Sequence, residues 1–262
     1  MEAVRIIAVV NQKGGVGKTT SVINLGAGLA RHGRKVLLID MDPQAGLTSS
    51  MGKGEEDLSV TIYDVMKGQA GLSEAILRHE AGEWAYDFIP ASIDLEGAEL
   101  ELKDVLGREL ILKEAIEDLK GDYDYILIDA PPRMTVLTVN LLVACQELFI
   151  PIQTEYLALK GLSLLLASIE MVKQRLNPKL EITGIMATIH DVRRSLDLEV
   201  LKKIEEHFGR TLFKTYVRTS VALAEAPSWG KDIYEYSPKS QGAKDYEALT
   251  LEVIAQERKR RK

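Results

Sequence analysis

The sequence predicts an α/β fold: a doubly wound, mostly parallel sheet with helices on both faces. Three observations carry this expectation. Apolar runs of strand length alternate along the chain with longer segments of helical periodicity. The strand-like runs are apolar at consecutive positions instead of alternating, as strands covered on both faces require. A glycine-rich turn joins the first such run to the first helical segment, the arrangement expected of a βα unit.

Taken in order, residues 5–10 (RIIAVV) read as the first strand. A helix is expected over 18–32, where Val22, Leu25, Leu29 and Ala30 fall at helical spacing and Gly33 sits just past the end. Further buried strands are expected at 35–40 (KVLLID), 86–91 (YDFIPA), 123–130 (YDYILIDA), 147–152 (ELFIPI) and 180–189 (LEITGIMATI), with an edge strand at 211–217 (TLFKTYV). Between them lie helical patterns at 110–119, 135–145, 158–176, 196–207 and 243–256. Residues 45–85 and 92–109 are polar and weakly periodic, and read as short helices and loops over one end of the sheet. No repeat, low-complexity block or linker divides the chain, so residues 1–262 are expected to form a single domain.

Composition narrows the classes of function. Of 262 residues, 46% are hydrophobic and 27% charged, the balance of a globular protein with a sizeable core. No apolar run reaches the ~18 residues that would span a bilayer, and the apolar start is too short and too weakly flanked for a signal peptide. Cys145 is the only cysteine, which excludes a disulfide framework and a cysteine-rich metal site. A cytoplasmic protein is the expectation. The formal net charge of -6 argues against a globally basic nucleic-acid binder, but not against local basic patches such as the terminal ERKRRK (257–262).

The turn after the first strand reads NQKGGVGKTT (11–20). Gly17-Lys18-Thr19 closes a phosphate-loop motif, G-x-x-x-x-G-K-[ST], yet the first glycine of that template is replaced by Gln12 and followed by a second lysine, Lys13. Gly14, Gly15 and Gly17 let backbone N–H groups converge on phosphate oxygens, because no side chain blocks the approach. Lys18 is placed to reach the β- and γ-phosphates, the Thr19 hydroxyl to ligate Mg²⁺, and the helix start adds its positive end. Two strands end in acids: Asp40 and Asp42 in LLIDMDPQ, and Asp129 in YILIDAPP. Carboxylates at the C-terminal ends of parallel strands lie where ligands of such sheets bind. One can hold Mg²⁺ through water, and one can orient or deprotonate an attacking water. The chain thus reads as a P-loop nucleoside triphosphatase.

KGGVGKTT, DMDPQ and DAPP together resemble the deviant Walker A ATPases, the ParA/MinD superfamily. The resemblance implies that Lys13 is the signature lysine, reaching across a homodimer that sandwiches two ATP molecules to the partner's phosphates. It implies a nucleotide cradle of Lys13, Gly14, Gly15, Val16, Gly17, Lys18, Thr19 and Thr20, with Lys13, Lys18 and Asp42 as the catalytic set. Asp42 becomes the water-activating acid, while Thr19, Asp40 and Asp129 lie on the Mg²⁺ side, and Pro131-Pro132 opens a segment that responds to the γ-phosphate. Residues 151–165, 175–193 and 223–253 resemble the short chromosomal ParA proteins, also called Soj. That branch implies weak, partner-stimulated ATP hydrolysis and ATP-dependent binding of nonspecific double-stranded DNA. It also implies association with the nucleoid and a ParB-like (Spo0J-like) partner. The positions matching its DNA-contacting arginines are Arg193 and Arg218, with Arg194, Lys202 and Lys203 able to widen the patch. Residues 218–227 are implied to lie near the base. One departure is Arg133, where the family has small or apolar residues after the two prolines.

Rival readings are separable by sequence. A MinD-like membrane ATPase would end in an amphipathic helix, but beyond Gln256 there is no apolar residue, so no membrane insertion is expected. An electron-transfer ATPase would need two cluster cysteines per subunit. A metabolic ligase or amidotransferase would need a substrate site, and no nucleophile motif or spaced histidines suggest one. ParA-like positioning of a protein cargo uses the same motifs and stays open.

Overall fold

The computed structural model describes residues 4–119, 121–155, 158–191 and 193–260. In chain order, strands β1 (Arg5–Val9), β2 (Val36–Asp40), β3 (Leu77–Ala81), β4 (Trp84–Ile89), β5 (Tyr125–Asp129), β6 (Glu147–Gln153) and β7 (Glu181–Thr188) form one sheet. Its spatial order is β3-β4-β2-β5-β1-β6-β7. Every neighbouring pair is parallel except the β3–β4 hairpin. The helices are α1 (Lys18–Arg31), α2 (Gly46–Ser50), α3 (Ile62–Met66), α4 (Leu95–Glu101), α5 (Ile111–Glu117), α6 (Val136–Ala144), α7 (Ala158–Arg175), α8 (Ser195–Phe208), α9 (Val221–Glu225), α10 (Ile233–Tyr236) and α11 (Gln241–Arg260).

The consecutive apolar runs have the consequence expected of them. β1, β2 and β5 are buried at all positions, and successive residues turn to opposite faces. Ile6, Ala8, Leu37, Ile39, Ile126 and Ile128 enter one core, with Leu112, Leu141 and Leu165 from α5, α6 and α7. Ile7, Val9, Leu38 and Leu127 enter the other, with Val22, Leu25 and Leu29 of α1 and Tyr246, Leu249 and Val253 of α11. At roughly 1.5–3 kcal/mol per fully buried large aliphatic side chain, these two faces fix the register of the central strands. The register matters for function, because it sets Asp40 of β2 beside Asp129 of β5, with Val9 of β1 on the far side of Asp129.

Two expectations are corrected. Residues 211–217 are not an edge strand. They follow a 3₁₀ turn, Gly209–Thr211, and touch β7 without forming a continuous ladder: an isolated bridge joins Ile185 and Leu212, and the N–H groups of Phe213 and Val217 donate to Ile185 O and Ala187 O at 2.9 and 2.8 Å. Between these contacts the backbone N–H groups of Lys214 and Thr215 donate to the Glu252 carboxylate of α11 at 3.0 and 2.7 Å, which interrupts the ladder. Conversely, the supposed loop region 45–85 contains β3. Its LRHEA is polar because the strand lies at the sheet edge, and Gly82 at φ +73° turns the chain into β4. Among the described residues no helix is long and apolar enough to cross a membrane. The side chains of the basic tail beyond Glu257 lie outside the described residues.

Candidate functional site

The turn between β1 and α1 is held from three sides. Val10 N–H donates to Phe149 O at 3.0 Å, Asn11 Nδ2 to Pro151 O at 2.7 Å, and Thr188 Oγ1 to Val16 O at 2.8 Å. Gly15 and Gly17 adopt φ of +71° and +88°, which a side chain would strain. Gly17 is the residue before α1, and no side chain caps that helix. The first-turn N–H groups therefore face the cleft ready for an anion.

Lys18 is only 7% exposed, makes no hydrogen bond or ion pair to another described residue, and has a lowered pKa because burial penalises its charge. The charges of Asp129 and Asp42 act in the opposite direction. Such an amine lacks one compensating anion, and a phosphate would supply it. Thr19 Oγ1 donates to Asp129 Oδ2 at 2.6 Å.

The three acids differ in what their oxygens already do. Asp129 is fully buried, and its Oδ1 has no hydrogen-bond partner. Burial first, and then the neighbouring Asp40 charge, push its pKa well above the carboxylate range. A buried orphan oxygen beside a threonine hydroxyl fits a cation. Asp40 is equally buried, but protein donors fill both of its oxygens. Oδ2 accepts from Thr48 N at 2.9 Å and Thr48 Oγ1 at 2.7 Å, and Oδ1 accepts from Asp42 N at 3.1 Å. Burial raises it to about 6 against the pull of those donors. Asp42 is half-buried, and its side chain lines the cleft while Oδ1 accepts from Gln44 N at 3.0 Å.

The cleft itself is about 440 Å³, lined by the glycine turn, by 217–220 with Leu223 and Ala224, and by Tyr246. Pro132 and Asp42 stand at one wall. Tyr246 is tied to α1 by a 3.0 Å contact with Ser21 Oγ. Ile189, at φ +51°, is a β-branched residue held in the left-handed region at the rim. That conformation costs about 1–2 kcal/mol.

Lys13 is placed apart from this set. It does not line the cleft, and its Nζ donates to Glu155 Oε2 at 2.6 Å and to Gln153 Oε1 at 2.9 Å, at the end of β6. Gln153 in turn donates to Glu155 Oε1 at 2.6 Å. The basic candidates are also engaged. Arg193 forks onto Asp191 at 2.9 and 2.8 Å, and Arg194 approaches the same carboxylate at 3.7 Å. Arg193 thereby holds the Asp191 carboxyl well below its usual range. Arg218 forks onto the buried Asp245, whose Oδ2 also accepts the Arg218 N–H at 3.0 Å. The three arginines share one cavity of about 550 Å³ that adjoins the cleft at Ile189, Arg218 and Thr219. Lys202 and Lys203 are exposed on α8. Arg133 is exposed beside Pro132. Cys145 is fully buried, with its thiol pushed up to about 12 by burial.

Sequence reading missed Thr48, Thr188, Glu155 and Asp245. Glu155, Thr188 and Asp245 act through partners 142, 172 and 27 positions away, and Thr48, eight positions from Asp40, belongs to no motif that points to it.

Comparison with known proteins agrees with this geometry. A family model described as an AAA domain matches residues 4–182. The chain is 43% identical to the chromosome partitioning protein ParA of Caulobacter vibrioides (strain NA1000 / CB15N), covering 98% of this chain and 96% of that protein. It is 44% identical to the sporulation initiation inhibitor protein Soj of Bacillus subtilis (strain 168), covering 96% and 98%. Among solved structures, one described as cobyrinic acid a,c-diamide synthase from Mycobacterium smegmatis, with bound ATP analog and magnesium, superposes with a TM-score of 0.84 at 36% identity, over 96% of this chain and 94% of that one. With that matching fold and full-length likeness to partitioning proteins, the chain belongs to the ParA/Soj family of chromosome-partitioning ATPases.

Proposed function

We propose that this chain, as one domain, is an ATP-driven switch that closes into a homodimer around two ATP molecules and in that state binds double-stranded DNA without sequence preference. It serves chromosome or plasmid segregation with a ParB-like (Spo0J-like) partner, on the nucleoid in the cytoplasm. One observation carries the reading. Of the two lysines in the turn, Lys18 is buried in the cleft, whereas Lys13 stands outside it at the protein surface, where a second subunit can meet it.

The residues present fit ATP and Mg²⁺. The N–H groups from Lys13 to Thr20 would cradle the phosphates, and Lys18 would gain the anion its burial lacks. Thr19 and the unpartnered Asp129 oxygen would hold Mg²⁺. Bound magnesium screens phosphate charge and polarises the terminal phosphoryl group. Asp42, at the wall, would orient the attacking water and accept its proton. Asp40 would act on the metal side at one remove, by fixing the Asp42 backbone and Thr48. Lys13 would leave Glu155 and place its charge on the other subunit's phosphates. Arg193, Arg194 and Arg218, with Lys202 and Lys203, would contact DNA phosphates. Hydrolysis is expected to be slow until the partner protein stimulates it.

The test is binding to random-sequence DNA with ATP, with ADP and without nucleotide, at several salt concentrations and beside anionic liposomes. Binding that requires ATP and weakens steeply with salt supports the proposal. Binding to liposomes but not DNA would replace it with a membrane-associated ATPase. A second reading, an ATP-dependent amide synthase, is favoured by the name of the structural neighbour from Mycobacterium smegmatis. It predicts that cobyrinic acid with an amide donor accelerates ATP turnover; the switch predicts no change.

A further inference from the structure

At the sheet edge opposite β7, side chains from β3 and α10 converge. His79 lies on β3, Asp232 caps α10 and Glu235 lies within it. One nitrogen of the imidazole and one oxygen of each carboxylate lie within 4.8 Å of one another. His79 Nε2 and Glu235 Oε2 are 2.7 Å apart, and both side chains stay partly open to solvent, at 14% and 17%. Asp232 is fully buried. Its Oδ1 is fixed by the N–H groups of Tyr234 and Glu235 at 2.8 and 3.0 Å. Its Oδ2 receives only long contacts, from Trp84 Nε1 at 3.3 Å and Tyr86 OH at 3.4 Å. No described lysine or arginine forms an ion pair with either carboxylate. Arg31 lies over the rings of Trp84 and Tyr234 but is paired with Glu247. Two carboxylates thus face one imidazole with no described lysine or arginine to balance them, and burial raises the Asp232 pKa.

We propose that His79, Asp232 and Glu235 bind a divalent transition-metal ion of the zinc type. One imidazole nitrogen with two carboxylate oxygens suits zinc or manganese, whereas magnesium and calcium favour oxygen alone. Zinc at ordinary bond lengths sets such atoms roughly 3.3 Å apart, so no pair in the cluster needs to close by more than about 1.5 Å. The ion replaces the His79–Glu235 hydrogen bond, and the solvent side leaves a fourth position for water. The site is separate from the nucleotide cleft, which none of the three residues lines. Its structural effect is to fasten the edge strand to α10, whose Ile233 N–H donates to Asn24 Oδ1 of α1 at 2.8 Å.

The experiment is a zinc chloride titration of the metal-stripped full-length protein, with excess Mg²⁺ and ADP present to fill the phosphate cleft. Calorimetry reads the stoichiometry and a thermal melt reads the stabilisation. Cobalt, used in place of zinc, reports nitrogen–oxygen ligation by its visible bands. The expected result is one zinc per chain and a higher melting temperature. His79→Ala and Glu235→Gln should weaken binding by about 100-fold and leave ATP turnover unchanged. Absence of saturable zinc binding by the wild type overturns the proposal. So does binding of equal strength in both variants, which would put the metal elsewhere.

Discussion

The two lysines of the phosphate loop show how five residues of separation become two different environments. Lys18 begins α1 and is buried, so its charge is costly until a phosphate arrives. Lys13 lies before the tight glycines, on the outer side, and rests on Glu155. For the proposed dimer to form, each Lys13 has to exchange Glu155 for the partner subunit's phosphates. Exposed pairs of this kind contribute about 0.2–1 kcal/mol each, and a dimer breaks two of them. Glu155→Gln should therefore raise the ATP-dependent dimerisation constant by roughly two- to thirty-fold, read by sedimentation velocity across protein concentrations. Lys13→Ala should abolish the dimer in either background. An unchanged constant in Glu155→Gln would mean that the contact does not hold Lys13 back. The loop, the acids and the extra lysine were all legible in the sequence, because each belongs to a short contiguous motif. Glu155 was not, since it lies 142 positions from Lys13 and only the parallel pairing of β1 with β6 brings the two together.

Among the elements, the central strands and long helices were readable because burial on both sheet faces leaves an unbroken apolar signature. The failures were at the edges. β3 shows polar Arg78, His79 and Glu80, which an edge strand tolerates and a pattern reading takes for a loop. Residues 211–217 have β-favourable side chains, but the Glu252 carboxylate takes two of their N–H groups. The first error comes from position at the edge, the second from α11, a C-terminal helix that reaches the segment from afar. The docking of α11 has a pH signature. Glu257 accepts from Arg34 at 3.1 and 2.9 Å and from the Tyr125 hydroxyl. Burial raises its pKa, but the hydrogen bonds from Arg34 and Tyr125 outweigh this and hold the value below ordinary. A carboxyl with a depressed folded-state pKa gives stability that is present above its unfolded pKa, near 4.5, and is lost as pH falls through the folded value. Glu257→Gln should lower stability at pH 7 by about 1–2 kcal/mol and flatten the acid limb of the melting curve below pH 4.5. Equal acid sensitivity in wild type and variant would assign the limb to other carboxyls.

At the scale of the whole molecule, a chain of net charge -6 is proposed to bind a polyanion, so the contact has to be local and multiplied by assembly. The arginines are currently matched to acids: Arg193 to Asp191, and Arg218 to Asp245. These two pairs are not equivalent. Asp245 is buried and paired with the Arg218 guanidinium, and Arg218 lines the nucleotide cleft, so a substitution there strips a buried carboxylate of its ion pair beside the cleft as well as removing any DNA contact. Arg193 is 85% exposed, pairs with Asp191 two positions away and does not line the nucleotide cleft. It is therefore the cleaner probe of DNA binding. In a dimer each substitution removes two phosphate contacts, and each contact contributes about 0.9 to the slope of log K against log salt. Arg193→Ala should reduce that slope by about 1.8, weaken binding at every DNA sequence alike, and leave ATP-dependent dimerisation intact. A slope reduced by about 0.9 would indicate that DNA engages one subunit at a time. An unchanged slope would move the DNA face away from the cavity that Arg193 and Arg218 share.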